Sequence, residues 1–491
     1  MAGPPESRTD KSGPAAGVAP VKSMMRSSRR AVVFLCAVSL WAAVPPGAAA
    51  QSSAPTRAPA AVVRPAPMRV VSRELANGMR LLMVENHRTP IVNLQVWYHV
   101  GSKDERPGRT GFAHLFEHMM FRGSAHVPPE QHMRIIESMG GVSNAYTSED
   151  VTVYHETFPS NYLARAMWLE ADRMGGLTIN QANFDAEREV VKEERRVRID
   201  NVPYGRVWED LGAAAFTVHP YQHSVIGSMA DLDKATVDDL REFFQAFYRP
   251  DNATMVLAGD ISPEEAVRLA QQYFDGIPRP QQPIARVNAP EPPQKTERRL
   301  TKSYPDTPLP AVVMGYRMPA AFTPDAYPLE VASNILSGGQ SSMLYRKLVY
   351  EDRLAVQAWG DGNFTEDPNL FTLGAVMNQG KTPAEGEKAI ESVLDRLKNS
   401  AVDAHDLEKA KNQQIAAFVL RRQRVQAKAN AVGRCAVLGK DVNCVNTELD
   451  RYVQVSAADI QRVAREYFVP AQRTVMVIEP PNEAGGTEAP K

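Results

Sequence analysis

The chain has 491 residues, 56 basic and 57 acidic side chains, a net charge of −1, and 43% hydrophobic residues. That length exceeds one ordinary core and fits two domains of roughly 200 residues each. The balanced charge argues against nucleic acid or an acidic membrane surface as the main partner, and no internal segment is long and apolar enough for an ordinary membrane span.

Residues 1–50 read as a targeting segment. Arg26, Arg29 and Arg30 follow Met24 and Met25, either of which could be the true start, and precede the apolar run from Ala31 to Val44. Pro45, Pro46 and Gly47 then lead to Ala48, Ala49 and Ala50. A basic start, a short apolar stretch and small residues at the exit make a secretory signal; a single membrane anchor is the alternative, for which the run is short. An exported protein follows, most simply in the periplasm of a Gram-negative bacterium, with no stable membrane span after cleavage. Residues 51–67 are rich in Pro and Ala and read as a flexible lead-in. A metal-bearing domain is expected at 68–277, a Pro-rich linker at 278–297, a homologous domain without metal at 298–480, and a tail at 481–491.

The segment from Gly108 to Gly123 carries the chemistry. Helix formers run from Phe112 to Phe121, and His114 and His118, four residues apart, project from one helical face. Two such imidazoles can occupy adjacent corners of a zinc tetrahedron. Glu117 stands beside them without being forced to bind, a placement suited to a base that takes a proton from the attacking water. The pattern is H-x-x-E-H, the inverse of the commoner zinc-peptidase motif. On its own it also fits a satisfied histidine pair. Beyond it, Gly140 and Gly141 suit a turn, and residues 151–156 alternate like a strand. Glu187 to Arg196 reads as a helix, with Glu194 placed 76 residues after His118 and Glu187 two turns earlier on nearly the same face. Glu194 could ligate while Glu187 orients a ligand histidine. The charge pattern alone reads more simply as a solvated helix.

The chain then repeats itself. With a constant offset of 220, Asp239 meets Asp459, Tyr248 meets Phe468, Pro250 meets Pro470 and Thr254 meets Thr474. Each copy reads as a helix, a proline stop and a buried strand. Strands are likewise expected at 91–98 and 311–316. The fold class is therefore α+β: two homologous domains, each a mostly antiparallel sheet with helices packed on one face. In the exported chain Cys435 and Cys444 can pair, which would add roughly 2–3 kcal/mol, or remain two buried thiols.

The H-x-x-E-H helix, the gap to Glu194 and the flanking run from Gly108 to Ser124 resemble the pitrilysin–insulinase family of zinc peptidases, and within it the bacterial and mitochondrial-processing type. The resemblance extends from about Arg69 to Pro480. It implies one Zn2+ per chain held by His114, His118 and Glu194, with Glu117 as the catalytic base and Glu187 in support. It also implies an edge strand lined by Asn144, Ala145 and Thr147, where an extended peptide substrate pairs through its main chain; an ordinary hairpin is the alternative. Many members carry an Arg and, seven residues later, a Tyr that contact substrate or the oxyanion. Val349 and Val356 stand there, and neither can donate a hydrogen bond. Oxyanion donors contribute about 3–4 kcal/mol, so their loss points to a two-chain clamshell, with a homologue lacking the metal motif, or a second copy of this chain, as partner. The function implied is a zinc metalloendopeptidase acting on peptides or unfolded segments. The alternatives are a non-catalytic peptide-binding or assembly subunit and a module with purely structural zinc, for which no fourth ligand is evident.

Overall fold

The computed structural model describes residues 64–481. The targeting segment, most of the lead-in and residues 482–491 lie outside the described residues. The first sheet comprises β1 (Val71–Glu74), β2 (Arg80–Glu85), β3 (Ile91–Tyr98), β4 (Val142–Thr147), β5 (Thr152–Pro159) and β6 (Ala253–Gly259), in the order β1-β2-β6-β3-β5-β4. The second comprises β7 (Arg298–Ser303), β8 (Ala311–Arg317), β9 (Ala355–Gly362), β10 (Leu370–Met377) and β11 (Arg473–Glu479), in the order β7-β11-β8-β10-β9. Without β1 the two orders coincide strand for strand. Each sheet has one parallel pair, β2 with β6 and β7 with β11, and is otherwise antiparallel.

The 220-residue offset has a local physical cause. The helices Val237–Phe247 and Ala457–Tyr467 each begin with a reciprocal capping box, Thr236 with Asp239 and Ser456 with Asp459. Each leads through a proline-started 3₁₀ turn, Pro250–Asn252 or Pro470–Gln472, into β6 or β11. The matched residues are thus the starts and stops of matched elements.

Both faces of both sheets are covered, which is why β6 is buried at every position. One face of the first sheet packs Leu94, Val96 and Leu257 with Leu115, Phe116 and Phe243. The other face packs Leu82, Trp97 and Val256 against Val432 and Ala436, from the helix Val425–Val437 of the second half. Conversely, the helix Val207–Ala215 of the first half lays Val207 and Leu211 against Val313 and Met476 of the second sheet. Each half therefore lends a helix to the other. Every buried Val or Leu in these seams contributes about 1.5–3 kcal/mol, so separating the halves would expose two apolar faces. Gly433 is required here, because a Cβ at that position would collide with the Trp97 indole. Cys435 and Cys444 are bonded, with Cα atoms 5.7 Å apart, tying the borrowed helix to the next one, Cys444–Gln454.

Between the helix Pro263–Phe274 and β7 the chain has no regular structure, yet it is anchored. Glu291 accepts backbone N–H bonds from Thr217, Val218 and His219 at 2.8–2.9 Å and pairs with Arg317 at 3.1 Å. Burial opposes ionisation, but these donors prevail and hold the carboxyl at about 2. A depressed folded-state pKa gives stability that is present above the unfolded value near 4.3 and is lost as pH falls through the folded one. Glu291→Gln should therefore cost about 1–2 kcal/mol at pH 7, with the deficit shrinking as the pH is lowered from about 4 toward 2. Denaturation midpoints across that range check it; a pH-independent deficit would contradict it.

Candidate active site

The helix Phe112–Met119 buries Phe112, Ala113, Leu115, Phe116 and Met119 in the first core. His114, Glu117 and His118 are left on the opposite face, the two imidazole centroids 4.8 Å apart. No local side chain caps this helix. Buried Glu105 does so from outside it, accepting the backbone N–H groups of Gly111 at 2.9 Å and Ala113 at 2.8 Å. Those are donors that a helix N-terminus leaves unpaired. Sequence reasoning missed Glu105, whose only signal was an acidic residue upstream of a helix start lacking a Ser, Thr, Asp or Asn cap.

The helix Gln181–Arg195 brings up the third group. Glu194 Oε2 lies 3.3 Å from His118 Nε2 and 3.7 Å from His114 Nε2, and one ligand atom from each residue falls within 4.8 Å of the other two. Zinc bonds of 2.0–2.1 Å at a tetrahedron's corners imply ligand separations of about 3.4 Å, so this donor set fits that ion. Three converging donors are the number that catalytic zinc sites take from the protein. Glu187, on the same helix, meets His118 Nδ1 at 3.0 Å and is itself held by Arg122. This contact fixes the ring so that Nε2 faces Glu194. His114 Nδ1 is buried without a partner.

The electrostatics separate the two histidines. Burial and the neighbouring His118 push His114 down. Burial also opposes charge on His118, but its bonds to Glu187 and Glu194 outweigh that and raise it to about 9. The His118 bond holds Glu194 below the usual carboxylate range. A further residue that sequence reasoning did not single out, Arg198, sits 2.6 Å from Glu194 Oε1. It follows in a π-helical segment, Arg196–Asp200, of the kind often found at functional sites.

Glu117 stands outside the ligand set and accepts a 2.6 Å hydrogen bond from the Thr147 hydroxyl. Burial raises its pKa, with the Thr147 bond opposing. Thr147 ends β4, the edge strand of the first sheet. Asn144, Ala145 and Thr147 line the same open cavity, about 810 Å³, as His114, Glu117, His118 and Glu194. Val349 and Val356 line a different cavity with Tyr350 and Arg353. A second buried cluster, His132, Glu156 and Glu170, is served by a side-chain cation, since Arg173 Nε bonds Glu170 at 2.9 Å and its guanidinium lies over Tyr154.

A duplicated α+β chain with an inverted H-x-x-E-H helix in its first copy has the architecture of one half of a metallopeptidase clamshell. Residues 80–228 match the family model described as insulinase (peptidase family M16), and residues 234–414 match the one described as the peptidase M16 inactive domain. Zinc protease PqqE of Helicobacter pylori is 30% identical over 410 residues, covering 83% of this chain and 92% of that protein. The crystal structure of a protease from Helicobacter pylori superposes with a TM-score of 0.81 at 30% identity, over 84% of this chain and all of the other. The periplasmic protease PqqL of Escherichia coli shares the fold, with a TM-score of 0.69 at 19% identity, over 84% of this chain but 48% of that one. The chain belongs to the insulinase family, peptidase family M16.

Proposed function

We propose that the chain is a zinc-dependent endopeptidase in which His114, His118 and Glu194 hold the metal and Glu117 is the general base. The observation that carries this reading is the approach of one carboxylate oxygen, of Glu194, to two imidazole nitrogens at 3.3 and 3.7 Å, with a second carboxylate, Glu117, lining the same cavity. A zinc ion in that set supplies Lewis acidity at a substrate carbonyl and a water acidified toward neutral pH. The protein's own part begins with β4, whose free edge at Asn144, Ala145 and Thr147 pairs with an extended peptide and gives affinity with little sequence demand. Thr147 holds Glu117 in place. Glu117 takes a proton from the attacking water and returns it to the leaving amine. Burial, which raises the pKa of Glu117, suits a group that must both accept and give up that proton. Glu187 keeps His118 in its ligating tautomer.

Domain boundaries at 68–277 and 298–480 around a linker at 278–297, removal of residues 1–50 on export to a periplasm, and pairing with a homologous chain complete the proposal. The second reading, a non-catalytic peptide-binding or assembly subunit, draws on Val349 and Val356, which stand where many members of the family carry an Arg and a Tyr. One assay separates the two. Cleavage of a quenched unstructured peptide should be abolished by a chelator and restored by zinc, either for the chain alone or once a homologue carrying the Arg and Tyr is added. Zinc-independent cleavage, or none in either arrangement, would overturn the enzyme reading.

A further inference from the structure

A further cavity, about 670 Å³, lies between the halves and has no place in the chemistry above. Trp208, Leu211 and Phe216 wall it from the first half, Trp359 and Leu370 from the second. Trp208 and Trp359 meet edge to face, with centroids 6.4 Å apart and planes at 70°. Trp208 is nevertheless 53% exposed, an unusual state for an indole beside an apolar void. Trp359 is held by a purpose-made gap: its cross-strand partner is Gly374, and a Cβ there would collide with the ring. The cavity thus offers aromatic ring surface from both halves, against which an aromatic side chain of a peptide can stack.

The cavity also lies beside the end of the edge strand. Glu149, two residues beyond Thr147, lines it and is bonded by Asn363 at 2.9 Å. The chain turns there, between Thr147 and Thr152, so the cavity sits by the end of the β4 edge along which a peptide pairs. Arg195, next to Glu194, is bonded to Glu209 at 2.8 Å, one residue from Trp208, so the metal-side helix and this wall are braced together. We infer that the Trp208–Trp359 cavity is a subsite that takes an aromatic side chain of the peptide substrate, a few residues from the bond that is cut. The inference takes its substrate class from the peptidase reading, but it can be tested without catalysis.

The probe is a set of short unstructured peptides, each with one phenylalanine at a different position, beside an all-alanine control. Binding is measured by calorimetry to the full-length zinc-loaded chain carrying Glu117→Gln. At one position phenylalanine should bind at least about tenfold tighter than alanine. Adding Trp208→Ala, at a half-exposed site that leaves the core intact, should erase that preference while zinc content stays unchanged, and Trp208→Phe should restore part of it. Equal binding of all peptides, or a preference that survives Trp208→Ala, would overturn the subsite. Tight aromatic binding by a wild-type chain that never cleaves would sink the enzyme reading and leave the subsite standing.

Discussion

Glu117→Gln is expected to lower kcat by at least about a thousandfold while the protein keeps its zinc. The size follows from removing a positioned general base, worth 10²–10⁴ in rate, from a step in which the same group also returns the proton. Retention of metal follows from geometry, because the three groups that converge are His114, His118 and Glu194, and Glu117 is engaged with Thr147 instead. Glutamine has the same shape and keeps a carbonyl to accept the Thr147 hydroxyl, so the β4 edge is undisturbed. Peptide turnover measured beside metal content tests both halves of the claim. Undiminished cleavage would remove Glu117 from the mechanism; lost zinc would make it a ligand.

The largest stability effect is expected at Lys103→Met. Lys103 is 7% exposed and sits among Asp150 at 2.9 Å, Glu366 at 2.6 Å and Asp367 at 3.2 Å. Asp150 belongs to the first half and the other two to the second, and His99 joins the same cluster through Glu366 at 2.7 Å. Burial works against the ammonium, but the surrounding carboxylates keep it charged at any accessible pH. Methionine fills the space and leaves Asp150 and Glu366 without their main cation, a change that typically costs 3–5 kcal/mol, about 3–5 °C in melting temperature for a chain of this size. Lys103→Arg should recover part of the loss. A methionine variant that melts with the wild type would show that the halves are held by their exchanged helices alone.

How far the sequence could be read depended on whether a feature was local. The repeat was legible because its matched residues, Thr236 with Asp239 and Ser456 with Asp459, are capping groups that work within a single turn. The metal helix was legible because four-residue spacing fixes a face. Glu194 was not legible from charge pattern; only resemblance singled it out from the acidic residues around it, since nothing local says which carboxylate of a helix turns inward. Glu105 capping a helix six residues away, Arg122 holding Glu187 across 65 positions, and Lys103 reaching Glu366 across 263 positions all depend on contacts that the fold creates. The helix exchange was hidden for a further reason. β6 reads as a strand buried on both faces, but a strand does not disclose whether its second cover comes from its own half or from Val425–Val437.

The most direct measurement is the zinc content of the purified chain, wild type beside Glu194→Ala. One zinc per chain in the wild type, and little or none in the variant while its fold is retained, is the predicted result. A wild type that binds no divalent ion, or a variant that holds it as tightly, would contradict the convergence of His114, His118 and Glu194 on a single metal.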